Sequence, residues 1–404
     1  MLHSRVSAPT VVLASGIKPA TQPAMGFFNP SNAAGYAYHP SWLVTQAQLA
    51  ISNLRRARPI THLPSKRRQV LNLNYTPVIG KKSAKAERLV EFCIGDFAKQ
   101  TNRICSEDPT YYKDTYIGLV SRIGNTLEFR SSSVSYYGKI QRLVDGRSNF
   151  RALVAQNARF PKHLTGWVLL GDSTGHRANL DHGLHFAGVR STHLREIVLL
   201  PIGDRDRYTG PELTSYRTYL QRAWSPWEDK LDAVWWGGAV TGSHWARRDP
   251  STLTRLELLQ HFAAHPHRQV VLQPTQNVDE RLQAPIPVTQ RFKKAHAFSH
   301  KCVLLMPGND APSGATWYFG GNSVVMMPTP PIEYIHAFEL KPWEHFLPVT
   351  DIPSILGNLD WVLSHPKDAQ DIVRAAHAHF SWLEGPEYLW ACNEILSIVS
   401  ELAL

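Results

Sequence analysis

The chain has 404 residues and carries 43 Lys and Arg against 33 Asp and Glu, a formal charge of +10. That length accommodates two domains with separate cores, and 43% hydrophobic with 19% charged residues excludes large-scale disorder. The four cysteines, Cys93, Cys105, Cys302 and Cys392, lack CxxC spacing, which argues against a zinc site or a disulfide framework and for a reducing cytoplasm.

No apolar run reaches membrane-spanning length, and Pro9 interrupts the short apolar piece at the start, which makes a poor signal peptide. The basic balance favours acidic ligands, an anionic glycolipid surface or nucleic acid, and its sign alone does not choose among them.

In chain order, residues 1–80 are rich in Pro, Ala, Ser, Asn and basic residues, and their periodicity is weak. The clusters Arg55-Arg56-Ala57-Arg58 and Lys66-Arg67-Arg68 read either as a solvated face or as contacts to lipid head groups or nucleic acid. Ser83 to Lys99 is predicted as an amphipathic helix with Leu89, Val90, Cys93, Ile94 and Phe97 on its core face. Tyr111 and Tyr112 lie in an aromatic stretch that serves either a core or stacking on the rings of an acceptor.

Gly166 to Leu170 reads as a buried strand running out into a loop that carries Asp172. Ligands of open α/β sheets sit at such carboxyl ends, so Asp172 is a candidate general base, with an Asx-type turn cap as the alternative. His176, His182, His185 and His193 follow without metal-ligand spacing. Trp224 to Leu231 reads as the passage to a second domain. There, Ala233 to Gly242 gives a strand and glycine turn, Arg255 opens a helix, Gln269 to Leu272 another strand, and Glu280 to Lys294 a linker helix.

Val303 to Met306 is a short unbroken apolar run, as in a parallel sheet buried on both faces. It leads into Gly308-Asn309-Asp310-Ala311-Pro312-Ser313-Gly314, then a short helix at Ala315 to Phe319 and a second apolar strand at Val324 to Met327. Asp310 or Ser313 suits an N-cap and Gly314 leaves backbone uncovered. The loop is therefore either an ordinary βα turn or an anion cradle built from N–H groups at a helix start. Neither a P-loop nor a GxGxxG fingerprint is present. Ala369 to Phe380 and Glu387 to Leu404 read as closing helices.

The succession Gly308-Asn309-Asp310, Asn322-Ser323, Ile332-Glu333-Tyr334 and Leu340-Lys-Pro-Trp343-Glu-His345-Phe-Leu-Pro-Val349 resembles glycosyltransferase family ninety, the capsule-associated and protein O-glucosyltransferases. The resemblance implies an α/β, GT-B-like fold of two Rossmann-like domains facing a cleft, with the C-terminal helix crossing back. On that scheme residues 1–80 form a basic N-terminal segment, 81–228 an acceptor-side domain, 229–385 a nucleotide-sugar domain and 386–404 the returning helix.

By the same resemblance the activity is inverting transfer of a sugar, glucose or xylose, from a UDP-sugar to a hydroxyl of a glycan, glycolipid or protein. Asp172 is the base, and Gly238, Thr241, Gly242, Arg255, Lys301, Gly308, Asn309, Asp310, Ser313, Gly314, Trp317, Ser323 and Glu333 line the donor. The resemblance implies no cofactor and no metal. Cytoplasmic placement with peripheral contact at an anionic membrane is expected, and nucleic acid is not an expected partner. Gly237 departs from the family, which carries an arginine there; Arg247, Arg248, Arg255 or Lys301 would have to replace its charge. That departure leaves open an inactive nucleotide- or glycan-binding relative, and the basic N-terminus a nucleic-acid-associated protein.

Overall fold

The computed structural model describes residues 67–72, 80–99, 117–123, 126–131, 163–169, 180–200, 221–242, 252–277, 285–289, 292–309, 311–312, 314–329, 332–383 and 385–402. Asp172, Tyr111, Tyr112, Asp310, Ser313, Arg247 and Arg248 lie outside them, as does the segment 1–66.

The elements run β1 (Arg67–Asn72), α1 (Ala84–Ile94), β2 (Ile117–Ile123), β3 (Thr126–Ser131), β4 (His163–Leu169), β5 (His185–Ala187), β6 (Val189–Ser191) and β7 (Val198–Leu199). They continue with β8 (Leu231–Val240), α2 (Arg255–Ala264), β9 (Val270–Asn277), α3 (Lys294–Phe298), β10 (His300–Leu304), α4 (Ala315–Phe319), β11 (Val324–Met327), β12 (Ile332–Tyr334) and β13 (Leu347–Pro348). Three helices close the chain: α5 (Ile352–Ser364), α6 (Pro366–Trp382) and α7 (Pro386–Leu402).

Three sheets form. The first has six strands in the order β1-β3-β2-β4-β5-β7, antiparallel from β1 to β4 and parallel from β4 to β7. The second, β13-β11-β10-β8-β9, is parallel throughout. Its central strands are the apolar runs of the sequence, Val324 to Met327 being buried at every position, as strands covered on both faces must be. The third joins β6 to β12 as an antiparallel pair across a long stretch of chain.

Local chemistry sets the helix ends. Ser83 caps α1 through the Ala86 N–H, and Gly95 stops it at a φ of 56°, so the helix expected to run to Lys99 ends at Ile94. Thr254 and Glu257 form a capping box that opens α2. The linker helix expected over Glu280 to Lys294 is a correction: residues 285–289 are not helical, since Pro285 and Pro287 each remove a backbone donor, and α3 begins only at Lys294.

Helix α7 lies against α1. Ala391, Cys392, Ile395, Leu396 and Val399 share one apolar cluster with Ala86, Leu89, Val90 and Cys93. Lys81 N–H donates to the Pro386 carbonyl at 2.9 Å and the Ser83 hydroxyl to Glu387 at 2.9 Å. Among the described residues no helix is long and apolar enough to cross a membrane.

Candidate active site

Parallel strands deliver their following loops to one edge of the sheet, and β8 and β10 bring two of the predicted segments together there. After β8 come Thr241 and Gly242; after β10 come Met306, Gly308 and Asn309. Gly242 adopts a φ of 90°, where an L side chain is strained, and a Cβ built on it would stand 2.5 Å from the Gly308 carbonyl oxygen. Its N–H donates to the Asn309 side-chain carbonyl at 3.1 Å, which ties the two loops to each other.

Arg255 completes the arrangement. It is the first residue of α2, and its guanidinium folds back over the strand ends. Nη1 donates to the Ala239 carbonyl at 2.8 Å and the Thr241 hydroxyl at 2.9 Å, and Nη2 to the Met306 carbonyl at 2.8 Å. These three acceptors, two backbone carbonyls and a hydroxyl, fix the orientation of the guanidinium. Gly308 lies directly below, where an added Cβ would come within 3.1 Å of both Arg255 Nη2 and Thr241 Oγ1. Gly238 sits two positions earlier on β8 than Val240, and an added Cβ there would meet only the Trp236 ring, at 3.5 Å. The cluster is thus a cation preset by backbone carbonyls at the mouth of a parallel sheet, an arrangement suited to an anionic group.

The short helix after the loop uses its own first N–H groups. Helix α4 is five residues long, and the N–H of Ala315 donates to the Pro312 carbonyl at 3.1 Å. Those of Trp317 and Tyr318 donate to the Gly314 carbonyl at 3.2 and 2.9 Å. These three donors are engaged within the turn and helix, and Arg255 is the cation beside the loop.

Four predicted donor residues stand elsewhere. Trp317 is 9% exposed and packs among Trp235, Phe292, Phe298 and Tyr318, as core. Lys301 pairs with Asp232 at 2.5 Å beside the Trp227 ring, at the amino ends of β8 and β10, so it does not reach the loops at their carboxyl ends and is no substitute for the missing arginine. Ser323 precedes β11 on that same far edge, where its hydroxyl donates to the His300 carbonyl at 2.7 Å and accepts from Lys230 at 3.1 Å. Glu333 faces Arg190 at 2.7 Å and Arg195 at 3.5 Å. Arg190 is fully buried and also donates to the carbonyls of Cys93 and Ile197, so this pair fastens β12 and β6 to α1.

Gly237 has a physical counterpart. A Cβ there would stand 2.5 Å from the Trp235 ring and 2.8 Å from Phe292. Trp235 is itself locked, with its indole N–H donating to Gln273 at 3.1 Å and its ring against Phe292 at 4.7 Å. An aromatic stack therefore fills the space an arginine side chain would need to leave the strand.

Sequence reasoning missed Tyr318. Its buried phenol lies beside the Gly237 backbone and within the field of Arg255; burial raises its pKa while those two neighbours pull the other way. The alternation of Trp235 and Gly237 along one face of β8 was the available signal. Among the described residues no three His, Cys, Asp or Glu side chains gather as metal ligands.

All of these loops fall within residues 218–384, the region that matches the model of a known family. Residues 218–384 match the family described as Glycosyl transferase family 90, and this domain marks the protein as a glycosyltransferase.

Proposed function

We propose that the enzyme transfers glucose or xylose from a UDP-sugar to a hydroxyl of a glycan, glycolipid or protein, with inversion at the anomeric carbon. The observation that carries the reading is the Arg255 guanidinium, held by Ala239, Thr241 and Met306 at the carboxyl edge of the parallel sheet. The leaving diphosphate gains negative charge as the sugar departs. A cation already oriented at that position stabilises the transition state more than the ground state.

In this scheme Thr241, Gly242, Gly308 and Asn309 bring backbone close to the diphosphate. Asp310, Ser313 and Gly314 complete the loop by their place in the sequence. Asp172, three residues past the end of β4, takes the proton of the acceptor hydroxyl, which attacks from the face opposite the diphosphate. The wider arrangement is GT-B-like, with the two large sheets on either side of a cleft and α7 returning to the first. Arginine and backbone dipoles serve without a metal ion. The site of action is the cytoplasm, at an anionic membrane surface that the positive charge favours.

A calorimetric titration with UDP and a donor-hydrolysis assay with UDP-glucose and UDP-xylose test this. Arg255→Ala should weaken UDP binding and abolish hydrolysis, whereas Asp172→Asn should keep UDP binding and lose transfer. Unchanged UDP affinity in Arg255→Ala removes the reading. Gly237 favours one rival, a relative that binds nucleotide without turnover, and wild-type protein that binds UDP but hydrolyses neither donor selects it.

A further inference from the structure

The segment entering β13 holds an exposed indole in an unusual way. Trp343 is 52% exposed and its φ is 65°, the left-handed region that a bulky L residue rarely adopts. The loop around it is fixed on both sides. Trp343 N–H donates to the Phe346 carbonyl at 2.7 Å and His345 N–H to the Lys341 carbonyl at 3.0 Å. Lys341 N–H donates to His345 Nδ1 at 3.0 Å, and His345 and Phe346 are buried. Backbone strain thus displays the ring outward instead of burying it.

The ring is braced from α5. Trp361 meets it edge to face, with centroids 5.3 Å apart at 81°, and the exposed His365 imidazole stacks on Trp361 at 5.1 Å and 14°. The rim is polar: Lys341 and Glu344 form an exposed ion pair at 3.1 Å, and Ser364 is exposed.

We propose that Trp343, braced by Trp361, is a saccharide-binding platform outside the transfer site, and that it takes a gluco-configured pyranose of an oligosaccharide. The equatorial hydroxyls of such a ring leave a flat C–H face that lies on an indole, while the ring edge meets hydrogen-bonding groups such as Lys341, Glu344 and His365. The patch is too small for a stable protein interface. The other large exposed apolar side chain on this edge among the described residues, Leu231, starts β8, three strands away from β13 and so about 14 Å off at ordinary strand spacing. The lysine at the rim is paired, which does not suit an anionic bilayer.

The loop lies on the amino edge of the parallel sheet, whereas Arg255, Gly308 and Asn309 occupy the carboxyl edge. The platform therefore holds a sugar remote from the reacting one, on the acceptor or the growing product. It depends on the chain acting on carbohydrate but not on which residues bind the donor.

The full chain is titrated with cellohexaose, laminarihexaose and maltohexaose and followed by saturation-transfer NMR. Saturable binding is expected for at least one, about tenfold weaker in Trp343→Gly. Glycine accepts the left-handed backbone, so that variant should melt no lower than wild type. Arg255→Ala should keep oligosaccharide binding while losing the donor, which separates failure of this proposal from failure of the donor reading. Equal binding by Trp343→Gly overturns the platform, and so does absence of binding to all three sugars. Loss of binding in Arg255→Ala alone overturns it too, by returning the sugar to the transfer site. If Trp343→Gly instead abolishes sedimentation with anionic vesicles and the sugars do not bind, the surface is a membrane contact and the proposal fails.

Discussion

The two edges of the parallel sheet each hold a cation on neutral oxygens, and the two differ in burial. At the carboxyl edge Arg255 is oriented by neutral acceptors near loops that end the strands. At the amino edge Lys230 is buried, donates to Asn322 at 2.9 Å, Ser323 at 3.1 Å and the Phe298 carbonyl, and burial pulls its pKa down to about 7. Asn322 passes the chain of bonds on to the Ser225 carbonyl at 2.8 Å. One positive group is only half-buried beside the strand-end loops; the other closes the fold where the chain enters its second sheet.

Replacing Arg255 by alanine tests the functional edge and should have the largest effect. A lost cation of this kind lowers turnover by about 100- to 1000-fold, roughly 3 to 4 kcal/mol of barrier by analogy with oxyanion-hole donors, while the urea midpoint falls less than in Lys230→Met because Arg255 is only half-buried. A fall in stability without loss of turnover would make the two edges alike. Lys230→Met tests the other edge. It leaves three acceptors short of a donor and should lower stability by about 1–3 kcal/mol, read as a shifted urea midpoint, with kcat retained.

Gly237→Arg asks whether the family's arginine can be restored. The side chain would start inside the Trp235 and Phe292 rings, so the variant should lose about 1–3 kcal/mol and gain no activity. Increased turnover would show that the stack yields.

A pH dependence behind the Trp343 loop sharpens the comparison further. His345 and His379 are buried 5.1 Å apart near Lys85; burial lowers both imidazoles, His379 to about 3, and Lys85 lowers both further. The folded chain keeps them neutral while the unfolded chain protonates them near 6.5, so stability present above that value is lost as pH falls toward 3. The slope is at most about 1.4 kcal/mol per pH unit for each histidine. His379→Phe should flatten the melting temperature against pH between 6.5 and 4.

The parallel sheet was legible because Val303 to Met306 and Val324 to Met327 are apolar at consecutive positions, which a strand covered on both faces requires. The convergence of Thr241, Gly242, Gly308 and Asn309 was legible from the family's motifs. What sequence order did not reveal was the edge of the sheet on which a polar residue falls. Ser323 and Lys301 sit near the starts of their strands and Asn309 follows the end of one, a difference set by strand direction rather than by residue type. The left-handed turn at Trp343 left no trace either, since no glycine marks it. The pairing of β6 with β12 depends on residues more than a hundred positions apart, beyond the reach of local periodicity.

That same pairing bears on how the protein can be divided. A fragment beginning at residue 218 would keep Glu333 but forfeit Arg190, and with it the neighbour that fills the charge of a nearly enclosed carboxylate. Ile332 and Tyr334 would lose the β6 strand beside them, and the aliphatic side of α7 would be left wet where α1 had covered it. The catalytic region is therefore not a detachable module: its solubility in isolation depends on a stretch of polypeptide that the family match does not include.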